Sequence, residues 1–294
     1  MITAFFTQLH TFELEWIYAI QSLRSSLLDQ FFIFMNFFDT SNFILILVAT
    51  VWVGYYWKPG MRLFSILTLS GITNFLLKQL FAEPRPLHID PTVGLINLTT
   101  YGFPSGGAQT AFLLSGIIIA SFRSCWKWVV ASCFFILLSF SRIYLGVHFP
   151  SDILAGWIVG ALLLALYLKI FPVIEQFLAS RSTAFITILS LAVSSIPVLL
   201  YPSTATIRFC VAFAGGALGT LLLLHLNAVP PKPKHVPEFC VRVAVGIIGA
   251  FTISWGMATL PLTETLLKAA LESSAIGLWL GFAANYICYK LYYK

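Results

Sequence analysis

Long apolar runs follow one another along the chain from residue 40 almost to its end. Crossing the hydrocarbon core of a bilayer, roughly 30 Å thick, takes about 20 mostly apolar residues. The runs that approach this length predict about nine transmembrane helices, at residues 40–57, 61–81, 105–121, 126–145, 150–171, 182–201, 205–226, 239–260 and 264–289. The predicted fold is therefore an all-α, polytopic integral membrane protein.

The composition points to the same class of protein. Charged residues make up only 10% of the 294 residues, whereas hydrophobic residues make up 59%. A soluble domain carries about 25% charged residues. So few charges do not cover a water-facing surface, and the bilayer has to be the solvent. The net charge of +6 therefore bears on membrane orientation, and membrane lipids rather than nucleic acids are the expected partners.

The apolar runs divide the chain into three predicted regions. Residues 1–39 mix charged and aromatic side chains and predict a helix lying in the membrane interface, with a tenth span as the alternative. Residues 40–171 form a core of five spans, and residues 172–294 form a four-span extension. The N-terminus lacks the features of a secretory signal. The five cysteines have no metal-ligand spacing and are predicted to be buried free thiols.

Basic residues at the span ends predict the orientation, because cytoplasmic loops are enriched in Lys and Arg. With nine spans, one side of the membrane receives eleven of the 17 Lys and Arg residues and the other side receives six. The side with eleven is predicted to be cytoplasmic, together with the C-terminus. The proline-rich loop 82–104 then faces outward, and the predicted location is a bacterial inner membrane with the site on the periplasmic or extracellular side.

Three basic residues on the outer side lie at span ends, where charge is costly. They are Lys78, Arg85 and Arg142. Snorkelling to the interface explains any one of them alone. Alternating topology brings the three to one face of the membrane, where three cations match a dianionic phosphate and arginine binds its oxygens as a rigid fork.

A turn of small residues opens the third span. The backbone N–H groups of Ser105, Gly106 and Gly107 lie at a predicted helix N-terminus, where the helix dipole and unpaired donors favour an anion. Glycine also allows the backbone to approach a ligand closely. The turn is predicted to form part of a phosphate-binding site.

His148 and Asp152 are four residues apart, on one face of a helix that starts near Pro150. A carboxylate bonded to one imidazole nitrogen fixes the tautomer and leaves the other nitrogen free to attack. A structural helix cap is the alternative. Asp152 is the one acidic residue near the membrane interior between residues 91 and 174, which favours a nucleophilic pair.

Together these residues resemble the type-2 phosphatidic acid phosphatase superfamily, membrane phosphatases that include glucose-6-phosphatase. The first family motif is Lys, six residues, then Arg-Pro, and residues 78–86 read KQLFAEPRP. The third is Ser-Arg, five residues, His, three residues, Asp, and residues 141–152 read SRIYLGVHFPSD. The second is Pro-Ser-Gly-His, but residues 104–107 read PSGG, with Gly107 in place of histidine. The resemblance covers residues 40–171.

The resemblance implies a phosphatase that needs no metal and no cofactor. His148, oriented by Asp152, would attack phosphorus and form a phosphohistidine, which water then hydrolyses. The phosphoryl oxygens would be held by Lys78, Arg85, Ser105, Gly106, Gly107 and Arg142. In the family, the histidine of the second motif protonates the leaving group. Gly107 therefore removes the expected general acid, a contribution of about 10²–10⁴-fold in rate.

Three interpretations of Gly107 stay open. In the first, the protein is a catalytically impaired member of the family that binds phospholipid or transports lipid. Alternatively, His88 in the outer loop is the replacement acid, although an ordinary loop histidine explains it as well. Finally, the leaving group needs little help, as when a phosphate leaves a pyrophosphate. The last interpretation favours a lipid diphosphate such as polyprenyl pyrophosphate over a lipid phosphate, and a lipid phosphotransferase fits equally.

The four-span extension offers two weaker features. The small residues AGGALG, 214–219, predict close helix packing rather than phosphate binding. Three charged residues at i, i+4 spacing are predicted either to line a polar cavity or to form pairs on a helix. They are Glu264, Lys268 and Glu272.

Overall fold

The computed structural model describes residues 2–261 and 265–294, with side chains from residue 8 onward. Helices account for 82% of the structure, no strand occurs among the described residues, and the all-α prediction is confirmed. The α-helices are α1 (Ile2–Gln21), α2 (Ser26–Met35), α3 (Ser41–Ala49), α4 (Trp57–Phe81), α5 (Pro86–Ile89), α6 (Gly106–Ser121), α7 (Cys125–Tyr144), α8 (Pro150–Lys169), α9 (Phe171–Ala179), α10 (Thr183–Leu200), α11 (Thr204–His225), α12 (Val236–Thr259), α13 (Thr265–Leu278) and α14 (Ala284–Tyr293). Short 3₁₀ turns occupy Asn36–Asp39 and Pro91–Val93, and π-helical segments occupy Thr50–Tyr55 and Trp279–Ala283.

Seven helical segments in the described ranges are long and apolar enough to cross a membrane. The number becomes eight if Ser26–Asp39 and Ser41–Tyr55 are counted as one bent span. Helix α6 is also apolar, but it has 16 residues, fewer than the about 20 that a hydrocarbon core requires. The polytopic membrane fold is confirmed, whereas the number of nine spans stays a prediction.

Large apolar side chains cover much of the helix surface. Leu199 and Ile188 on α10 are 79% and 67% exposed, and Leu162 on α8 is 67% exposed. Contact with water would cost each of them about 25 cal/mol per Å² of apolar surface. In lipid the same surface carries no such cost, so this exposure is that of a chain whose solvent is a bilayer.

The N-terminal region differs from the predicted single interfacial helix. It contains two helices, because the side chain of Ser25 caps a new helix by accepting a hydrogen bond from the N–H of Leu28 at 3.4 Å. Helix α1 is not among the membrane-span candidates found in the described residues. Its place in the membrane interface stays a prediction.

The chain folds as two compact units. The first comprises Met1–Phe43 and Thr73–Ile170, and the second comprises Ile44–Ile72 and Phe171–Lys294. The three-region division into residues 1–39, 40–171 and 172–294 remains a proposal about organisation along the sequence.

In the first unit, α6 packs against α7 and α8. Gly156 and Gly160 on α8 allow a close approach, since a Cβ at these positions would lie 2.6 Å from the Ser105 carbonyl oxygen and 2.8 Å from that of Gln109. The contact brings the first turns of both helices together, and the N–H of Ser105 donates to the carbonyl oxygen of Asp152 at 3.0 Å.

In the second unit, α11 packs against α13. A Cβ on Gly215 would lie 2.6 Å from the carbonyl oxygen of Ser274, and one on Gly219 would lie 3.0 Å from the nitrogen of Phe282. The predicted packing role of residues 214–219 is therefore confirmed. Glu264 lies outside the described residues, and Lys268 donates to the carbonyl oxygen of Ala258 at 3.2 Å.

All five cysteines are free, but only two are buried. Cys210 and Cys288 are buried as predicted, whereas the prediction is wrong for Cys125, Cys133 and Cys240, which are exposed. These three lie on outward-facing positions of α7 and α12, where a small apolar side chain can face lipid as well as protein.

Candidate active site

The turn between α7 and α8 presents His148. Gly146 has a φ of +67°, a left-handed conformation that glycine adopts without steric cost. The backbone then folds back, and the carbonyl oxygen of Arg142 accepts the N–H groups of Val147 at 3.2 Å and His148 at 3.3 Å. The last turn of α7 and the residue before the start of α8 are thereby fixed side by side.

The imidazole of His148 lies between a carboxylate and a guanidinium. Its Nδ1 lies 3.0 Å from Oδ2 of Asp152, and its Nε2 lies 2.9 Å from Nη1 of Arg85. Arginine is only a donor, so Nε2 carries the lone pair and Nδ1 carries the proton. Asp152 is held in turn by the N–H of Phe149 at 3.0 Å.

His148 is neutral in this environment. It lies in the connection between two candidate spans and is only 2% exposed. Burial lowers the pKa of His148 well below the ordinary value of 6.5, and the positive charges of Arg85, Lys78 and Arg142 act in the same direction. A neutral imidazole with a lone pair on Nε2 is a competent nucleophile.

The loop of residues 82–104 is held by hydrogen bonds from Arg85 and Lys78. Nε and Nη2 of Arg85 donate to the carbonyl oxygen of Thr100 at 2.6 Å and to its hydroxyl at 2.8 Å. Nη1 of Arg85 donates to the carbonyl oxygen of Val147 at 2.9 Å. Nζ of Lys78 donates to the carbonyl oxygens of Tyr101 at 2.5 Å and Gly102 at 2.8 Å. Both cations are thus buried beside the segment that leads into α6.

The small-residue turn starts α6. Ser105 is its N-cap, with Oγ accepting the N–H of Ala108 at 3.4 Å. Gly106 and Gly107 are the first two residues of the helix, whose amides have no acceptor within a helix. Asn74 positions the turn, since its Nδ2 donates to the carbonyl oxygen of Pro104 at 3.2 Å. Sequence reasoning missed Asn74.

Arg142 is held by the 3₁₀ turn after α2. Its Nη1 donates to Oδ1 of Asn36 at 2.7 Å, and its Nη2 lies 3.4 Å from Oδ2 of Asp39. Asp39 also faces the start of α6, because a Cβ on Gly107 would lie 2.9 Å from Oδ2 and 3.0 Å from Oδ1 of its carboxylate. Sequence reasoning missed Asn36 and Asp39, which have no motif and come from a distant part of the chain.

Helix α1 holds the first turn of α8. The buried carboxylate of Glu13 accepts the N–H of Ser151 at 2.6 Å and its hydroxyl at 2.9 Å. The ring of His10 stacks on Phe149 with centroids 4.1 Å apart. The residues on either side of His148 and Asp152 are therefore fixed from outside the predicted motifs.

His88 is not part of this cluster. It is exposed, its Nδ1 accepts the N–H of Arg85 at 3.4 Å, and its Nε2 lies 2.8 Å from the carbonyl oxygen of Leu98. Both ring nitrogens bind the backbone of the loop. The role of His88 as replacement acid stays a prediction, and these contacts favour the ordinary loop histidine.

The other predicted site residues lie in one network of contacts. They are Lys78, Arg85, Ser105, Gly106, Gly107, Arg142, His148 and Asp152. The arrangement combines three cations, the N-terminus of a helix and a neutral imidazole. These groups are suited to binding a phosphoryl group and attacking it at phosphorus. Among the described residues, no group of three or more His, Cys, Asp or Glu side chains is arranged to hold a metal ion.

Comparison with known proteins gives the same class. Residues 59–175 match the PAP2 superfamily. The undecaprenyl-diphosphatase of Sulfolobus acidocaldarius is 32% identical over 107 residues, which are 35% of this chain and 51% of that protein, so the chain spans about half of its length. The lipid phosphate phosphatase delta of Arabidopsis thaliana is 25% identical over 294 aligned residues, 88% of this chain and 70% of that protein.

A solved structure is also similar. The crystal structure of LpxE from Aquifex aeolicus is 25% identical, with a TM-score of 0.47, and the match covers 53% of this chain and 94% of that chain. The region that matches the PAP2 superfamily contains all three predicted motifs. The names of the relatives agree with the prediction of a phosphate ester hydrolase. Residues 59–175 therefore form a PAP2 superfamily domain within this integral membrane protein, as the motifs predicted.

Proposed function

We propose that the protein is a membrane phosphatase that removes a phosphate from a lipid phosphate or lipid diphosphate. The observation that carries this proposal is the position of His148, whose Nε2 lies 2.9 Å from Arg85 and whose Nδ1 lies 3.0 Å from Asp152. A neutral imidazole held in one tautomer next to a phosphate-binding cation has the geometry of a phosphoryl-group nucleophile.

The first step forms a phosphohistidine. A phosphoryl oxygen takes the donor of Arg85 that now contacts Nε2 of His148, and the freed lone pair attacks phosphorus. The P–O bond to the leaving group breaks, and its electron pair stays on the oxygen of the departing lipid, which for a lipid diphosphate is a lipid monophosphate. Further oxygens bind Lys78, Arg142, the hydroxyl of Ser105 and the amides of Gly106 and Gly107. Asp152 stabilises the positive charge that develops on the imidazole, because its carboxylate bonds to the Nδ1 proton.

The second step returns the enzyme to its starting state. Water attacks phosphorus, the P–N bond breaks, and its electron pair returns to Nε2 of His148. Inorganic phosphate leaves the cations. Water is the acceptor in a phosphatase, whereas a second lipid would take its place in a lipid phosphotransferase.

A polyprenyl diphosphate is the substrate that the observations favour. The first turn of α6 carries Gly107, without a proton donor of its own, and a phosphate leaves a diphosphate more readily than an alkoxide leaves a monoester. The relative with 32% identity is named an undecaprenyl-diphosphatase.

The proposed site faces the outer side of a bacterial inner membrane. The distribution of Lys and Arg supports this orientation, with eleven of 17 on the opposite side. The substrate would then be cleaved from the periplasmic or extracellular leaflet.

Phosphate release by the purified protein in detergent tests the proposal. Polyprenyl diphosphate, phosphatidic acid and a soluble phosphate monoester are compared in the wild type, in His148→Ala and in His225→Ala, whose exposed histidine lies outside the cluster. We expect release that is fastest from the diphosphate, is lost in His148→Ala and is unchanged in His225→Ala. Lipid binding without release in any variant would overturn catalysis and support the phospholipid-binding alternative.

A further inference from the structure

Asp39 occupies the space beside the first turn of α6 where a side chain at residue 107 would stand. A Cβ added to Gly107 would lie 2.9 Å from Cγ and Oδ2 of Asp39 and 3.0 Å from Oδ1. A Cβ at residue 107 would therefore require the carboxylate of Asp39 to shift from this position. Glycine at residue 107 therefore has a local cause, since it makes room for the carboxylate of Asp39.

The carboxylate of Asp39 belongs electrostatically to the cation cluster. Oδ2 lies 3.4 Å from Nη2 of Arg142, and the negative charge also acts on Lys78 and Arg85. The side chain of Asp39 is 24% exposed, whereas that of Arg142 is fully buried. Asp39 is thus the exposed partner of this ion pair and lies at the open side of the cluster.

The other carboxylates and the loop histidine near the cluster are already engaged. Asp152 accepts bonds from His148 and the N–H of Phe149. The carboxylate of Glu13 accepts two bonds from Ser151. His88 uses both ring nitrogens within its loop. Among the described residues, the one ion pair of Asp39 is with Arg142, which a substrate phosphate would also bind.

We propose that Asp39 is the general acid and base of the phosphatase reaction, a role that rests on the proposed function of the site. In the first step, Nε2 of His148 bonds to phosphorus, the P–O bond to the leaving group breaks, and its oxygen takes the proton of the Asp39 carboxyl group. In the second step, water gives a proton to the Asp39 carboxylate as its oxygen bonds to phosphorus. The P–N bond breaks, its electron pair returns to His148, and inorganic phosphate leaves.

The proton that Asp39 donates comes from the monoanionic form of the substrate or from water, which reaches the carboxyl group because the side chain is 24% exposed.

This assignment extends the substrate class. With an acid at the leaving group, the protein does not depend on a diphosphate, and an alkyl phosphate monoester becomes a second substrate. Glycine at residue 107 then means that the general acid comes from another segment of the chain, not that the protein lacks a general acid.

The test measures how the loss of Asp39 depends on the leaving group. Wild type and Asp39→Asn react with ³²P-labelled 4-nitrophenyl phosphate, whose leaving group needs no proton, and with ³²P-labelled phosphatidic acid, whose leaving group does. The rate of phosphoenzyme formation is recorded in single turnovers. The matched control is Asp29→Asn, which changes a carboxylate paired with Arg24 at 3.0 Å in the same segment but outside the cluster.

We expect Asp39→Asn to slow phosphoenzyme formation from phosphatidic acid about 10²–10³-fold, in the range of general acid catalysis. The rate from 4-nitrophenyl phosphate should change less than about tenfold, and Asp29→Asn should match the wild type on both substrates. Asp39→Glu, which keeps a carboxyl group, should retain part of the rate.

Three results would overturn the assignment. If Asp39→Asn slows both substrates equally, Asp39 only positions Arg142. If it slows neither substrate, Asp39 takes no part in the reaction. Wild-type protein that forms no phosphoenzyme, and releases no phosphate in a His148-dependent way, would overturn the proposed function and the assignment with it. If Asp39→Asn does not fold, the same comparison is made with Asp39→Glu at high pH against low pH.

Discussion

Nη1 of Arg85 lies 2.9 Å from Nε2 of His148, so the proposed nucleophile and a proposed phosphate-binding cation are in direct contact. The guanidinium keeps its other bonds to Thr100 and Val147. A phosphate that takes the Nη1 donor would release the lone pair of His148 without moving the arginine far. In the proposed mechanism, phosphate binding to Arg85 and release of the lone pair of His148 therefore occur in the same step.

The first prediction concerns Arg85→Lys. Lysine keeps the charge but loses the rigid fork that holds Thr100, Val147 and the imidazole together. We expect kcat/KM for lipid diphosphate to fall about 10²-fold, equivalent to about 2.7 kcal/mol. Steady-state phosphate release checks this, with Arg24→Lys, an exposed arginine paired with Asp29, as the control. Equal activity of Arg85→Lys and wild type would show that the fork is not needed.

The second prediction is the pH dependence of kcat/KM. The reaction needs neutral His148, and burial together with Arg85 lowers the pKa of His148 below 6.5. Because the pKa is lowered, the imidazole stays neutral as the pH falls through 6.5, and the acid limb lies below that value. Arg85→Gln removes one of the positive charges and should move the acid limb towards higher pH. An acid limb above pH 6.5 in wild type would contradict this assignment.

The third prediction is a coupling between Gly107 and Asp39. Gly107→His alone places a Cβ about 3 Å from the Asp39 carboxylate, so we expect lower activity and a lower thermal unfolding midpoint. In the double variant with Asp39→Ala, the space is free and the imidazole supplies a proton. That variant should be more active on phosphatidic acid than Asp39→Ala alone.

Four proteins complete this double-mutant cycle: wild type, the two single variants and the double variant. Residues in contact give interaction energies of about 0.5–3 kcal/mol in such cycles. Additive losses, with the double variant slower than either single variant, would mean that the two positions act independently.

The fourth prediction concerns Glu13. Glu13→Ala leaves the partly buried N–H and hydroxyl of Ser151 without their acceptor, and the loss of a buried partner costs up to about 1–3 kcal/mol of stability. We expect a lower thermal unfolding midpoint in detergent, with a reduced kcat because the start of α8 loosens. Glu15→Ala, an exposed residue on the same helix, is the control. Equal midpoints for both variants would show that α1 does not hold α8.

The helical fold could be predicted because each segment that crosses the bilayer has to be a long apolar run. An apolar run of fixed length predicts a helix without knowledge of its neighbours. The two-helix N-terminal region was missed because its break depends on one local cap at Ser25. The exposed cysteines were missed because in lipid an apolar side chain does not have to be buried.

The candidate site could be predicted from the sequence only in part. The motif residues lie at or near helix ends within about 75 residues of each other, and alternating topology together with the family motifs brought Arg85 and His148 into one hypothesis. Asn36 and Glu13 are separated by 106 and 138 residues from their partners Arg142 and Ser151. Their segment has no motif and no periodicity that points to the site. Only the packed structure brings them, and with them Asp39, to the cluster.

The central claim is a phosphohistidine at His148, and trapping it is the most direct measurement. The purified protein is mixed with polyprenyl diphosphate carrying ³²P in the terminal phosphate, quenched in base within one turnover, and digested for mass spectrometry. The account predicts an acid-labile, base-stable label on the peptide that contains His148, absent from His148→Ala. Phosphate release without any labelled peptide, or with the label on another residue, would contradict it.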